Sequence, residues 1–178
     1  MQATAPMFIP FMGAFIALQS AMKDALVEAE IGIAGPVWGS VAAALCHAAG
    51  LYFEQPLLLA LAWTGYWLNL FNLTPVGQLD GGHVMQALSP WMQLVGFPIM
   101  LGFAIWRPSL IIFLLLAMSL PRLIALFRGR TDEEQQYYNV PAADRWRMGL
   151  LYFGLIAALV FGIYEVDLQL EPLRGQPR

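Results

Sequence analysis

Charged side chains are scarce in this chain of 178 residues. Only 12% of its residues are Asp, Glu, Lys or Arg and 59% are hydrophobic, whereas soluble domains carry about 25% charged residues. Three stretches, residues 31–53, 55–79 and 81–106, contain no charged side chain at all. A helix needs about 20 apolar residues to cross the hydrocarbon core of a bilayer. The scarcity of charge therefore predicts an integral membrane protein.

Other absences narrow the function further. Cys46 is the only cysteine, which excludes an internal disulfide and zinc motifs built from cysteine pairs. No stripe of Lys and Arg with interleaved aromatic residues is present, so nucleic-acid binding is not expected. The start of the chain has no basic region ahead of an apolar one, so no signal peptide is predicted. Its abrupt apolar beginning instead indicates that an upstream segment has been lost, either because the start was assigned too late or because the gene no longer encodes it.

The apolar runs predict an all-α polytopic membrane protein with about five transmembrane helices. The predicted spans are residues 32–53, 56–73, 85–106, 109–127 and 148–164. The third contains Pro90 and Pro98 and is expected to be bent or broken. Residues 7–18 are apolar but too short to cross, and Pro10 and Gly13 interrupt a helix there, while aromatic and branched residues favour strands. We therefore predict a short N-terminal re-entrant β-hairpin over 7–18, buried in protein or lining a wet cavity.

The remaining charges predict domain boundaries and orientation. Residues 1–127 form the predicted membrane core, 128–147 a cytoplasmic loop, and 148–178 a C-terminal transmembrane helix and tail. The loop is flanked or occupied by Arg122, Arg128, Arg130, Arg145 and Arg147, and the positive-inside rule makes such a loop cytoplasmic. Counting spans backward then places Asp80 near the cytoplasmic side and the turn at Glu54 outside.

The start of the first predicted span carries three signals. Residues 19–30 contain four charged side chains and predict a polar surface helix ahead of the span. Pro36 suits the first turn of a helix, where its missing N–H costs nothing. Gly35 and Gly39 have GxxxG spacing, for which we favour ordinary helix packing over a specific dimer motif.

One carboxylate follows the second predicted span, in Asn72-Leu-Thr-Pro75-Val-Gly-Gln-Leu-Asp80-Gly81-Gly82-His83. A charged group in or beside a membrane is expensive, so Asp80 is a candidate functional residue. The two glycines after it allow a sharp turn and a close approach of the backbone to a bound group. Considered alone, Asp80 also fits the N-cap of the third predicted helix.

Asn72-x-x-Pro75-x-x-x-Leu79-Asp80-Gly81-Gly82 resembles the second signature of the site-2 protease family, the intramembrane zinc metalloproteases of peptidase family M50. Other blocks extend the resemblance over nearly the whole chain. Residues 8–16 resemble the β-hairpin that follows the catalytic helix in that family, residues 30–36 the start of its next core helix, and residues 145–152 the C-terminal helix of one bacterial subgroup.

The resemblance implies roles for named residues. Asp80 matches a zinc ligand, and Asn72 matches an asparagine that helps to bind substrate or to stabilise the developing oxyanion. The hairpin residues implied to bind substrate are Phe8, Ile9, Gly13, Ala14 and Phe15. The remaining zinc ligands in the family are the two histidines of an H-E-x-x-H helix, whose glutamate is the general base.

This sequence contains no H-E-x-x-H, so a zinc cofactor requires two histidines that this chain does not have. Its two histidines, His47 and His83, are 36 positions apart. We expect His47 to be packed or hydrogen-bonded within the membrane. We expect His83 to support a neighbouring group rather than to bind a metal, because catalytic zinc takes three protein ligands and these residues supply too few.

The expected function is that of an intramembrane zinc metalloendopeptidase that cleaves membrane-embedded protein segments, here in an N-terminally truncated and incomplete form. The expected partners are a membrane protein substrate and the lipid bilayer, and the expected location is a bacterial cell membrane. The alternative is a non-catalytic pseudoprotease that binds transmembrane clients. A small transporter with Asp80 as an ion or proton site is a third possibility.

Overall fold

The computed structural model of the chain describes residues 7–9, 13–15, 24–129 and 131–174, with side chains for 24–129 and 131–171. Helices dominate this part of the chain, as predicted from its apolar runs. They are α1 Ala25–Tyr52, α2 Pro56–Asn72, α3 Asp80–Leu88, α4 Gln93–Trp106, α5 Leu110–Ala125, α6 Asp132–Tyr137 and α7 Ala142–Arg174, with a 3₁₀ turn at Pro90–Met92. The predicted all-α class is confirmed.

Two short strands lie within the residues predicted as a hairpin. Strand β1, Met7–Ile9, pairs antiparallel with β2, Gly13–Phe15, so that Phe8 lies opposite Ala14. A two-stranded ribbon has at best marginal stability in water by itself. The pairing alone does not support a re-entrant position in a membrane, which stays a prediction.

The predicted count of five spans is not supported. In the described part of the chain, two helices are long and apolar enough to cross a membrane, α1 and the segment Ala142–Glu171 of α7. The third predicted span breaks at Ser89, whose backbone is extended (φ −164°, ψ 111°). The physical reason is Pro90, because proline disfavours a helical conformation in the residue before it.

Helix α1 begins earlier than predicted. The Asp24 side chain caps it by accepting a hydrogen bond of 2.9 Å from the backbone N–H of Val27, as good N-cap residues do. Residues 25–30 are thus helical as predicted, but they begin α1 rather than form a separate surface segment, and Glu28 is buried. Pro36 lies in the interior of α1 rather than in its first turn. Proline is tolerated inside apolar helices where the surrounding groups compensate for the lost hydrogen bond.

Glycines on one face of α1 let α2 and α3 pack closely against it. A Cβ on Gly35 would lie 3.5 Å from the Asp80 carboxylate, and one on Gly39 would overlap the side-chain amide of Asn69. These two glycines therefore serve helix packing within the chain, as predicted for their GxxxG spacing.

The C-terminal boundaries also differ from the predicted ones. Helix α7 begins at Ala142, inside the predicted cytoplasmic loop, and continues to Arg174, through most of the predicted tail. The short helix α6 lies in the same predicted loop and starts with a capping box between Thr131 and Glu134, which satisfies two backbone N–H groups reciprocally. The segment 128–147 is thus partly helical.

Candidate functional site

The candidate site is built on the short connection between α2 and α3, residues 73–79, called the motif loop below. Asn72 is the last residue of α2 and Asp80 is the first residue of α3. Within the loop, Val76 donates to the carbonyl of Thr74 at 2.8 Å and Leu79 donates to the carbonyl of Val76 at 2.9 Å. The loop is therefore a tight, internally bonded turn that fixes the relation between the two helix ends.

Groups from α5 and α7 hold the motif loop from outside. Arg122 on α5 donates from Nη1 to the carbonyl of Gly77 at 2.7 Å, and the Tyr152 hydroxyl on α7 donates to the carbonyl of Leu73. Gly77 has a positive φ of 34°, a conformation that glycine adopts with little cost. Because these contacts are made to backbone carbonyls, they fix the path of the loop itself.

Gly81 and Gly82 allow α3 to start directly against the motif loop. A Cβ on Gly81 would overlap the carbonyl of Leu73, and a Cβ on Gly82 would lie 2.7 Å from the carbonyl oxygens of Val76 and Gly77. Both glycines are helical. The expectation that they form a sharp turn is therefore wrong, and the group that they approach in this structure is the chain's own backbone.

Asp80 is half-buried and does not cap α3. The N-cap is Leu79, and no side chain caps this end of the helix, so the capping interpretation of Asp80 is wrong. The Asp80 carboxylate makes no hydrogen bond within the described part of the chain. Asp80 lies outside both candidate spans; burial raises the pKa of its carboxyl above the ordinary value, and His83 opposes part of that shift.

The structure brings Asn72 and Asp80 to the two ends of the same short loop. The Asn72 side chain is also half-buried, and it too makes no hydrogen bond within the described residues. Both side chains thus keep their polar atoms available. The side chains predicted to bind substrate, those of Phe8, Ile9, Gly13, Ala14 and Phe15, lie outside the described ones.

A buried cluster around Glu28, next to the motif helix α3, was missed in the sequence. Glu28 is 7% exposed, and its carboxylate accepts hydrogen bonds from His83 Nδ1, from the Tyr137 hydroxyl and, at 3.1 Å, from Gln86 Nε2. Arg122 Nη2 lies 3.7 Å from the same carboxylate. The cluster borders a cavity of about 280 Å³.

The sequence does contain a signal for this cluster. Glu28, Gly32, Gly35 and Gly39 are spaced by four, three and four residues, which places them on one face of a helix. A carboxylate that continues a glycine packing stripe faces a neighbouring helix rather than solvent.

Comparison with known proteins places this site in a family. A sequence profile of Peptidase family M50 matches residues 53–117, which include the whole motif loop with Asn72 and Asp80. The chain belongs to this family. The family predicted from the sequence is thereby confirmed.

Two plant proteins are similar to this M50 chain, and both are named probable zinc metalloprotease EGY1, chloroplastic. The protein from Arabidopsis thaliana is 26% identical over 207 aligned residues, covering 87% of the chain and 36% of the relative. The protein from Oryza sativa subsp. japonica is 33% identical over 130 residues, covering 71% and 20%. The chain thus spans about a third or less of these relatives. No solved structure matches it.

The two relatives also bear on location. Both are chloroplastic, so the predicted bacterial cell membrane finds no support in them.

The described residues of this M50 chain do not make a zinc site. Within them, no group of three or more His, Cys, Asp or Glu side chains is placed to hold a metal ion. His83 is bonded to Glu28, and His47 Nε2 lies 3.1 Å from the side-chain oxygen of Gln169. The prediction of a hydrogen-bonded His47 is confirmed. Asp80 is left as a single candidate ligand, whereas catalytic zinc takes three protein ligands.

Proposed function

We propose that the chain is the part of an intramembrane zinc metalloendopeptidase of site-2 type that carries Asn72 and Asp80, and that the whole enzyme cleaves membrane-embedded segments of other proteins. The observation that carries this proposal is the placement of Asp80. Its carboxylate lies in the region matched by the M50 profile, next to Gly35 and without a hydrogen bond in the described part of the chain. A half-buried carboxylate that accepts no hydrogen bond is costly, and a bound cation would compensate that cost.

Asp80 is the one metal ligand that we assign to this chain. The assignment requires two histidines from outside the printed sequence, because His47 and His83 are bonded elsewhere. We assign Asn72 to substrate binding, since its free side-chain amide can donate to a peptide carbonyl and can stabilise negative charge that develops there.

We further propose a multi-pass arrangement in which α2, α4 and α5 enter the membrane together with α1 and α7. Large apolar side chains face outward on the shorter helices, for example Leu110, which is 85% exposed, and Ile105, which is 71% exposed. Water-soluble surfaces rarely carry extended apolar patches. In this arrangement the arginine-rich segment 128–147 is cytoplasmic, and the outward-facing apolar side chains contact lipid.

The substrate in this proposal is an extended segment of a membrane protein. We place the β1–β2 ribbon at membrane depth, where its free edge pairs with the substrate as an added strand. Phe8, Ile9, Gly13, Ala14 and Phe15 are the ribbon residues that would line this pairing.

One observation favours a different function, a non-catalytic member of the family that binds transmembrane clients. The printed sequence contains no H-E-x-x-H, and without that motif or an equivalent one the zinc site is incomplete.

Zinc content distinguishes the two proposals. Two proteins are purified in detergent. One is the chain of 178 residues, and the other, longer product also includes any open reading frame that continues upstream of Met1 in the native gene. The enzyme proposal expects close to one zinc per molecule in the longer product, lost in Asp80→Ala and kept in the matched surface variant Asp132→Ala, together with cleavage of a transmembrane reporter. A longer product without zinc, or zinc unaffected by Asp80→Ala, contradicts the enzyme proposal and favours the client-binding one.

A further inference from the structure

We propose that Glu28 is a positioning residue for Asp80. Through its hydrogen bonds to His83 and Gln86 it sets the rotation of α3, and with it the direction in which Asp80 points. The inference rests on the proposed function, since the direction of Asp80 matters to catalysis only if Asp80 binds a metal.

Helix α3 needs support from outside. It has nine residues and begins Asp-Gly-Gly, and glycine weakens the interior of a helix. Isolated helices of this length are marginal in water because nucleation is costly. The motif loop fixes where α3 begins, and the rotation of so short a helix about its own axis then depends on the contacts made by the rest of it.

Glu28 forms hydrogen bonds to the side of α3 that carries Asp80. Asp80, His83 and Gln86 follow one another at intervals of three residues, which places them along one side of a helix. The same oxygen of Glu28, Oε1, accepts from both His83 and Gln86. Two bonds to consecutive turns of α3 fix its rotation better than one bond does.

The glycine stripe of α1 continues this contact toward Asp80. A Cβ on Gly32 would lie 2.9 Å from the His83 Cβ, and a Cβ on Gly35 would lie 3.5 Å from the Asp80 carboxylate. As α1 advances from residue 28 to 35, its neighbours on α3 run from residue 86 back to 80. The two helices are thus antiparallel. Glu28 makes the hydrogen bonds between them, and Gly32 and Gly35 let them approach closely.

A buried carboxylate is a costly way to fill a core position, because its charge must be compensated. Glu28 receives that compensation from α3, from Arg122 on α5 and from Tyr137 on α6. An apolar side chain of similar volume supplies packing at lower cost but gives no directional bonds. Directional hydrogen bonds are required to set the rotation of α3, and Glu28 supplies them.

Disulfide formation measures the position of α3 without zinc or proteolysis. In a Cys46→Ala background, Gly35→Cys with Asp80→Cys reports the α1–α3 contact, and Ala43→Cys with Gly65→Cys reports the α1–α2 contact. The Ala43 Cβ lies 3.0 Å from where a Cβ on Gly65 would be. Disulfides have Cβ atoms about 3.5–4.5 Å apart, so α1 and α2 must separate slightly to accommodate this pair. Oxidation and a short bifunctional thiol crosslinker are used in parallel, so that each pair reports even where its sulfur geometry is poor.

Adding Glu28→Ala should slow crosslinking of the 35/80 pair at least fivefold and change the 43/65 pair by less than twofold. Glu28→Gln should restore most of the 35/80 rate, because its amide oxygen still accepts from His83 and Gln86. An unchanged crosslinking rate of the 35/80 pair in Glu28→Ala overturns the inference. An equal loss of crosslinking rate in both pairs also overturns it, because Glu28 would then stabilise the whole helix bundle. The result is independent of the zinc measurement, so a failure of the proposed function is distinguishable from a failure of this inference.

Discussion

Backbone carbonyls, rather than side chains, surround the residues next to Asp80. Gly81 faces the carbonyl of Leu73, and Gly82 faces those of Val76 and Gly77. Carbonyl oxygens of a tight loop cannot move aside as the end of a flexible side chain can. The glycines are therefore needed for packing within the chain, whether or not a ligand ever approaches them.

Gly81→Ala should destabilise the folded chain by about 1–3 kcal/mol, the typical cost of forcing a methyl group into filled space. The measurement is the free energy of unfolding in detergent micelles. Gly154→Ala on α7 is the matched control, because nothing lies within 4 Å of its added Cβ, and alanine there should be neutral or stabilising by about 1 kcal/mol. Equal effects of the two substitutions would contradict this explanation of the Gly-Gly pair.

Some functional side chains cannot be recognised from the sequence because their partners are far away in the chain. Glu28 stands near the start of a helix, where charged residues usually face solvent, and its partners His83 and Tyr137 lie 55 and 109 positions away. The spacing of Glu28 with Gly32, Gly35 and Gly39 indicates that it faces another helix, but no local pattern shows which residues it meets there. Asn72 and Asp80, in contrast, were found as candidates because both belong to one short motif.

Element boundaries were predictable where local chemistry dictates them. Helix α2 begins at Pro56, as predicted, because proline suits the first turn, and its end at Asn72 lies within one residue of the predicted one. The break in the third span at Pro90 was likewise expected from its prolines, whereas the predicted boundaries failed at both ends of α7. A uniformly apolar run does not show where packing against neighbours extends a helix or ends it.

Tyr152 on α7 connects this long helix to the motif loop. Tyr152→Phe removes the hydroxyl that donates to the buried Leu73 carbonyl and should cost about 1–3 kcal/mol, the penalty for an unsatisfied buried acceptor. Tyr164→Phe on the same helix is the control, because Tyr164 is 59% exposed and should change stability little. Thermal unfolding in detergent measures both, and a Tyr164→Phe effect as large as that of Tyr152→Phe would count against the α7 contact.

At the scale of the whole molecule, the number of helices that cross the membrane decides on which side each connecting segment lies. Two helices, α1 and α7, satisfy the requirement of length and hydropathy by themselves. The helices between them are short but present large apolar side chains outward. The two-span and five-span arrangements place the connecting segments differently, because each additional crossing reverses the side of the membrane.

Residues 54 and 139 distinguish these arrangements. If only α1 and α7 cross, every residue between them lies on one side; if α2, α4 and α5 also cross, Glu54 and Asn139 lie on opposite sides. Both residues are exposed, so each can be replaced by cysteine in a Cys46→Ala background and labelled with a membrane-impermeant maleimide. We expect Asn139→Cys to react only from the cytoplasmic side, since it lies in the arginine-rich segment, and Glu54→Cys only from the other. Labelling of both from one side would mean that an even number of helices, none or two, crosses between them, and would contradict the arrangement in which α2, α4 and α5 all cross.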